Sequence, residues 1–140
     1  MKRKWLLAGV AAVILVAAVV CMNTPEKRVL RYYNANKEDL NQRVEDYMNG
    51  ENLSWSGGAL KMVNAWPGEH EMVEYILISN GNTYRGFYYS PDDVPLAFQN
   101  TETILYQEDG SNRWTWSSEG DNHGETYKID DGWYYFSASF

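Results

Sequence analysis

Cysteine is almost missing from this chain of 140 residues: Cys21 is the only one, so no disulfide can staple the fold. A secreted eukaryotic domain of this size more often carries several bridges, whereas a bacterial surface protein does not need them. Basic residues are also scarce. Beyond residue 22 there are 9 Lys and Arg against 19 Asp and Glu, a formal charge of −10. Nucleic-acid binding requires a basic footprint to displace condensed counterions, so that class is excluded. The same charge opposes lying flat on an anionic membrane surface. Histidine occurs twice, and no G-x-S-x-G turn, internal repeat or calcium-loop spacing D-x-[DN]-x-[DN]-G is present. Hydrolytic-triad chemistry therefore has no foothold, and no cofactor is expected.

What the sequence does have begins at its N-terminus. Lys2, Arg3 and Lys4 form a basic head at 1–4, and residues 5–22 follow without a charge. As a helix that run is ~27 Å long, the thickness of a bilayer hydrocarbon layer. Cleavage as a secretory signal would need small residues ahead of the cut, where Val19, Val20 and Met22 stand instead. Lipidation of Cys21 would need a small residue before it, and Val20 is there. An uncleaved signal-anchor needs neither site, and it is the reading adopted; a secreted or lipidated form is the alternative. The denser basic head places the N-terminus inside and the body extracytoplasmic.

Thr24-Pro25-Glu26 reads as a helix start, continuing the membrane helix as a stalk over 23–36. Asn36 then offers a second N-cap, with Leu40, Val44, Tyr47 and Met48 at helical spacing and Gly50 closing a helix over 37–49. From Glu51 the pattern becomes extended. Strands are expected at 59–66, 71–79, 83–89, 102–108, 113–118 and 125–140, the last bent near Asp130-Asp131-Gly132. Turn signals, Asn80-Gly81 and Asp109-Gly110 among them, separate the strands. Residues 90–100 read as a mobile loop. The expected fold is α+β, with residues 37–140 forming one domain: a helix packed on a curled antiparallel meander of about five to six strands.

Aromatic residues are the compositional anomaly, with 20 of them after residue 22, nearly all in the strand region. Tyr84 and Tyr88 oppose Phe87 and Tyr89 along their strand, and Tyr134, Phe136, Ala138 and Phe140 oppose Trp133 and Tyr135. Both sheet faces thus carry rings, while one short helix covers one face only, so the other needs a different cover. The helix ending at Gly50, the run YRGFYYSPDD at 84–93 and DGWYYF at 131–136 resemble small anchored bacterial proteins of unknown function. That resemblance implies a helix followed by an aromatic-rich antiparallel sheet and brings no activity with it.

Exposed Trp and Tyr dominate binding energy, so Trp114, Trp116, Tyr84, Tyr88, Trp133 and Tyr135 are the candidate binding residues. The competing reading packs the same rings into the domain's own sheet. Asp121, His123 and Glu125 alternate as metal ligands could, but their glycine-flanked run is ordinary turn chemistry, and no metal site is assigned. His70 reads as an exposed strand-edge residue. The sequence therefore points to a membrane-anchored binding or interaction module with a protein or carbohydrate partner, not to an enzyme. A small cell-wall hydrolase and a structural subunit of a membrane complex are the alternatives.

Overall fold

The computed structural model describes residues 23–53 and 58–140, together with Val10, Val13, Ile14, Val16, Ala17 and Val19. Among these residues no helix is long and apolar enough to cross a membrane. The expected basic head at 1–4, Cys21 and most of the 5–22 anchor lie outside the described residues.

Helix α1 spans Pro25–Met48 without a break. Thr24 caps it, its Oγ1 accepting from the Lys27 amide at 3.3 Å, and Pro25 and Glu26 occupy the first turn. The second start expected at Asn36 does not form: residues 25–36 are helical and continue into 37–48 as one element. Val29, Tyr33, Leu40 and Val44 make one buried stripe that runs past that point, and a single face buried along its whole length favours a single helix. Asn36 instead donates from Nδ2 to the Tyr32 carbonyl at 2.8 Å, a back-bond of an ordinary helical turn. Gly50, at φ +93°, ends the element.

Seven strands form one open antiparallel sheet: β1 (Met62–Trp66), β2 (Met72–Asn80), β3 (Thr83–Tyr89), β4 (Tyr106–Gln107), β5 (Arg113–Ser117), β6 (His123–Asp130) and β7 (Trp133–Ser139). The fold class is α+β, as the sequence implies, but the strand count and connectivity differ from expectation. Asp131-Gly132 makes a full hairpin turn, with Gly132 at φ +72°, so one bent strand becomes two. The sheet order β1-β2-β3-β7-β6-β5-β4 is two meanders joined edge to edge, because β7 takes the free edge of β3 ahead of β4.

The helix packs on one face. Val73, Tyr75, Leu77, Phe87, Trp133 and Tyr135 meet Val29, Tyr33, Leu40 and Val44 there. Its first turn reaches β6, where Tyr127 donates to Glu26 at 2.6 Å, and its last turn reaches the start of β2, where Tyr47 donates to Glu71 at 2.7 Å. Between them Trp133 donates from Nε1 to Asn41 at 2.8 Å, and Lys37 pairs with Asp130.

The opposite face is covered by the segment 90–105, which crosses the sheet from the end of β3 to the far edge at β4. The reading of 90–100 as a mobile loop is thereby corrected: Leu96, Ala97 and Phe98 are buried on Met72, Ile76, Tyr88, Tyr134 and Phe136. This strap is hydrogen-bonded along its length. The Leu96 amide donates to the Tyr88 hydroxyl at 2.8 Å, that hydroxyl lies 2.9 Å from Thr126 Oγ1, and Thr126 donates to the Tyr135 carbonyl at 2.8 Å. Asp93 accepts from the Gly132 amide at 2.9 Å and Asn100 donates to the His70 carbonyl at 2.8 Å. All three positive-φ non-glycine residues among those described, Asp93, Gln99 and Asn100, lie in the strap. Such a backbone persists where its surroundings over-determine it.

Glu74 is the charged group at the centre of this layer. It is fully buried, and its carboxylate accepts from the Gln99 amide at 3.0 Å and from Trp66 Nε1 at 3.1 Å. Burial outweighs these two donors and raises its pKa from 4.5 to about 7. The folded state therefore holds a proton that the unfolded chain has lost, so the stabilisation is complete below pH 4.5 and disappears as pH rises through 7. A Glu74→Gln variant, uncharged throughout, should gain on the wild type between pH 5 and 8 by on the order of 2 kcal/mol, at about 1.4 kcal/mol per pK unit. Urea melts of both proteins across that range check this, and a constant difference would refute it. A second test concerns Tyr75, whose buried hydroxyl has no partner among the described residues. Tyr75→Phe removes that orphan donor at little volume cost and should leave stability unchanged or raise it by ~1–2 kcal/mol in the same melts.

Candidate binding surface

The six candidate rings do not share a surface. Trp133 and Tyr135 lie under the helix, and Tyr88 and Trp116 lie on the strap face; all four are buried. Tyr88 stacks on Tyr134 with centroids 5.2 Å apart and planes 6° apart, and Tyr135 stacks on Tyr127 at 4.8 Å. Tyr84 and Trp114 are half-buried, the first stacked on Phe98 at 5.3 Å and the second tilted on Tyr134 at 6.3 Å. Phe87 and Phe136 are buried, and so is Trp116, which leaves Trp114 as the more open of the two tryptophans on β5. Trp116 and Phe136 share the strap-covered cluster, and Phe87 sits under the helix. Trp116 can lie this close because its neighbour is Gly124, where a Cβ would stand 2.5 Å from the indole Cζ2.

The surface that stays open is a polar one. On the helix face, one cross-strand row passes in register through Arg85, Ser137, Glu125, Thr115 and Tyr106, on β3, β7, β6, β5 and β4. With strands ~4.8 Å apart the row spans ~19 Å. A shallow concavity of about 430 Å³ opens on it, with Ser139 and His123 extending its polar lining. The row just beyond is Phe87, Tyr135 and Tyr127, over which the helix lies. The face thus changes from aromatic to polar within one residue pair, where the helix cover ends.

The electrostatics of this belt are set by two cations. Arg113 donates to Glu125 at 2.6 Å and lies over the Tyr127 ring at 4.4 Å. Burial and the nearby Glu26 carboxylate push the Tyr127 hydroxyl well above its ordinary pKa, so it stays protonated and a donor. Arg85 stands at the other end of the belt. At the β4 end, on the sheet's edge, stand Tyr106, 61 % exposed, and Ile104, 67 % exposed.

Asp121, His123 and Glu125 are not brought together as ligands. His123 Nδ1 lies 2.6 Å from the Asp121 carbonyl, and the Glu125 carboxylate is occupied by Arg113. No group of three or more His, Cys, Asp or Glu suited to a metal ion occurs among the described residues. His70 bonds Asp92 at 2.8 Å, linking the β1–β2 loop to the strap. The sequence reading passed over Arg85, Thr115 and Ser137 because it followed the rings, and it weighed Glu125 only as a metal ligand. The signal available was the polar residue two places from a ring on the same strand face, repeated on β3, β6 and β7.

No family model, curated protein or solved structure matches this chain.

The burial difference between rings gives a direct test. Phe136 is 1 % exposed and packs against Tyr88 and Phe98, so Phe136→Ala should cost ~3–5 kcal/mol once its cavity is counted. Trp114→Ala, at a half-buried position, should cost less. Guanidinium melts of both variants check the order; equal losses would place Trp114 in the core.

Proposed function

We propose that this protein is a membrane-anchored extracytoplasmic binding module that holds an extended carbohydrate across the belt running from Arg85 to Tyr106. The observation that carries the reading is the belt itself: five neighbouring strands presenting a guanidinium, a carboxylate and hydroxyl groups in register beside an exposed tyrosine ring. Closely spaced donors and acceptors match the hydroxyl pattern of a sugar chain, and an aromatic ring at the rim suits the apolar face of a sugar. The anchor is supported by the uncharged run at 5–22 and by Val10, Val13, Ile14, Val16 and Val19, each at least half exposed, an arrangement stable against lipid. A protein partner is the second reading. It is favoured by β4, a two-residue edge strand that could receive an added peptide strand beside the exposed Tyr106 and, just ahead of the strand, Ile104.

The test begins with the location. The full chain should remain in the membrane fraction with residues 5–22 attached; a mature N-terminus near Asn23, or a lipid on Cys21, would overturn the anchor. Oligosaccharides from bacterial cell-wall polymer are then titrated against the detergent-solubilised chain by calorimetry. Tyr106→Ala and Arg85→Ala should each weaken binding tenfold or more, at ~1.4 kcal/mol per factor of ten, with an unchanged melting temperature. Binding unaffected by both changes would remove the belt from the function.

A further inference from the structure

A second concavity, of about 410 Å³, opens on the other side of α1 and is lined by Arg28, Arg31, Tyr32, Ala59, Lys61 and Leu77. Arg28 and Arg31 are one helical turn apart and therefore project side by side. Lys61 is brought to them by the sheet: its amide donates to the Ile76 carbonyl at 2.7 Å, which seats it beside Leu77. Tyr32 forms one wall, its ring fixed by stacking on Phe87 at 6.2 Å. The lining holds three cations and no acid, in a chain whose net charge is −7.

Among the described residues no carboxylate is hydrogen-bonded to or ion-paired with these three cations. Arg31 donates to the neutral Asn23 side-chain oxygen at 3.0 Å. The nearest acid in sequence, Glu26, is held by Tyr127 at 2.6 Å over β6, while the concavity opens towards β1 and β2. Asp39 is engaged one turn further on by Arg43 at 2.7 Å. Clustered guanidinium groups with unspent donors suit a phosphate, which they can bind in a fork geometry.

Position along the chain selects the source of that phosphate. Arg28 and Arg31 follow the uncharged run by six and nine residues, and α1 starts at Pro25 after an extended Thr24, so they stand about 5–9 Å along the helix from its first residue. The headgroup layer occupies roughly the first 5–8 Å beyond the hydrocarbon, and an arginine side chain bridges the remainder. We infer that Arg28, Arg31 and Lys61 form a binding site for the phosphate of an anionic phospholipid in the membrane that carries the protein, fixing the domain's orientation on the bilayer. This inference rests on the anchor reading. It is compatible with an acidic body, since charges further than the ~8 Å Debye length act weakly on the headgroup.

The test uses the full chain in nanodiscs of phosphatidylcholine and phosphatidylglycerol, with co-retained lipid counted by native mass spectrometry. Phosphatidylglycerol should be enriched over its bulk fraction by roughly fivefold or more, the effect of about one basic side chain at an anionic surface. The enrichment should fall several-fold in an Arg28→Gln, Arg31→Gln, Lys61→Gln variant, leaving only the residual attraction of Lys2, Arg3, Lys4 and Lys27. Enrichment unchanged in that variant overturns the site. Millimolar inorganic phosphate that abolishes the enrichment identifies free phosphate as the ligand and also overturns it. Failure of the chain to float with neutral vesicles is a separate result, which removes the anchor and this inference with it; insertion without enrichment removes the site alone.

Discussion

The pairing of β3 with β7 is the contact on which the rest of the structure depends. It joins two meanders that would otherwise be separate three- and four-stranded ribbons, and it sets Phe87 against Tyr135, Tyr88 against Tyr134 and Tyr89 against Trp133. Cross-strand aromatic pairs of this kind each stabilise a sheet by roughly 0.2–1 kcal/mol. Because successive residues point to opposite faces, the same three pairs supply the centre of both cores. Gly86 lies in this seam, and any side chain there would meet the Tyr75 carbonyl at 1.9 Å and the Phe136 ring at 3.0 Å. The centre of the sheet is thus packed to its backbone.

From that seam the two covers follow. A sheet with rings on both faces has to be sealed twice, and α1 seals one side through Val29, Tyr33, Leu40 and Val44. The strap seals the other with only three buried apolar residues, and it does so by anchoring polar groups in the sheet. Tyr88, Glu74 and Thr126 are buried polar groups that hold strap or sheet backbone, which turns an irregular segment into a fixed one. What neither cover reaches is the polar row from Arg85 to Tyr106, and this open polar surface exists because α1 begins where it does.

Much of this was legible in the chain, for local reasons. Thr24-Pro25, the hairpin glycines and the alternation of Phe87 with Tyr88 each report a geometry settled within a few residues. The need for a second cover followed from ring counting on two faces. The strap that supplies it was not legible, because its order comes from partners such as Glu74 and Tyr88 that lie far away in sequence. The same holds for β7 displacing β4 beside β3, which no hairpin rule anticipates. Asn36 misled because its side chain suits a cap, while the stripe through Tyr33 and Leu40 decided otherwise. In the candidate site the rings drew the reading, yet aromatic residues in a small two-faced sheet are needed for packing first, so the residues left outside were their polar neighbours.

The β3–β7 seam also has a consequence for how the chain matures. Thr83 pairs with Ser139, 56 residues later. During synthesis at about 5–20 residues per second, the first meander therefore waits roughly 3–11 s with the β3 edge unpaired, while α1 and then the strap are already made and able to cover Phe87 and Tyr88. Throughout that interval the growing chain presents an unpaired strand edge, open to holdase chaperones and to mispairing with neighbouring copies. The last strand to be made is the one that closes the centre.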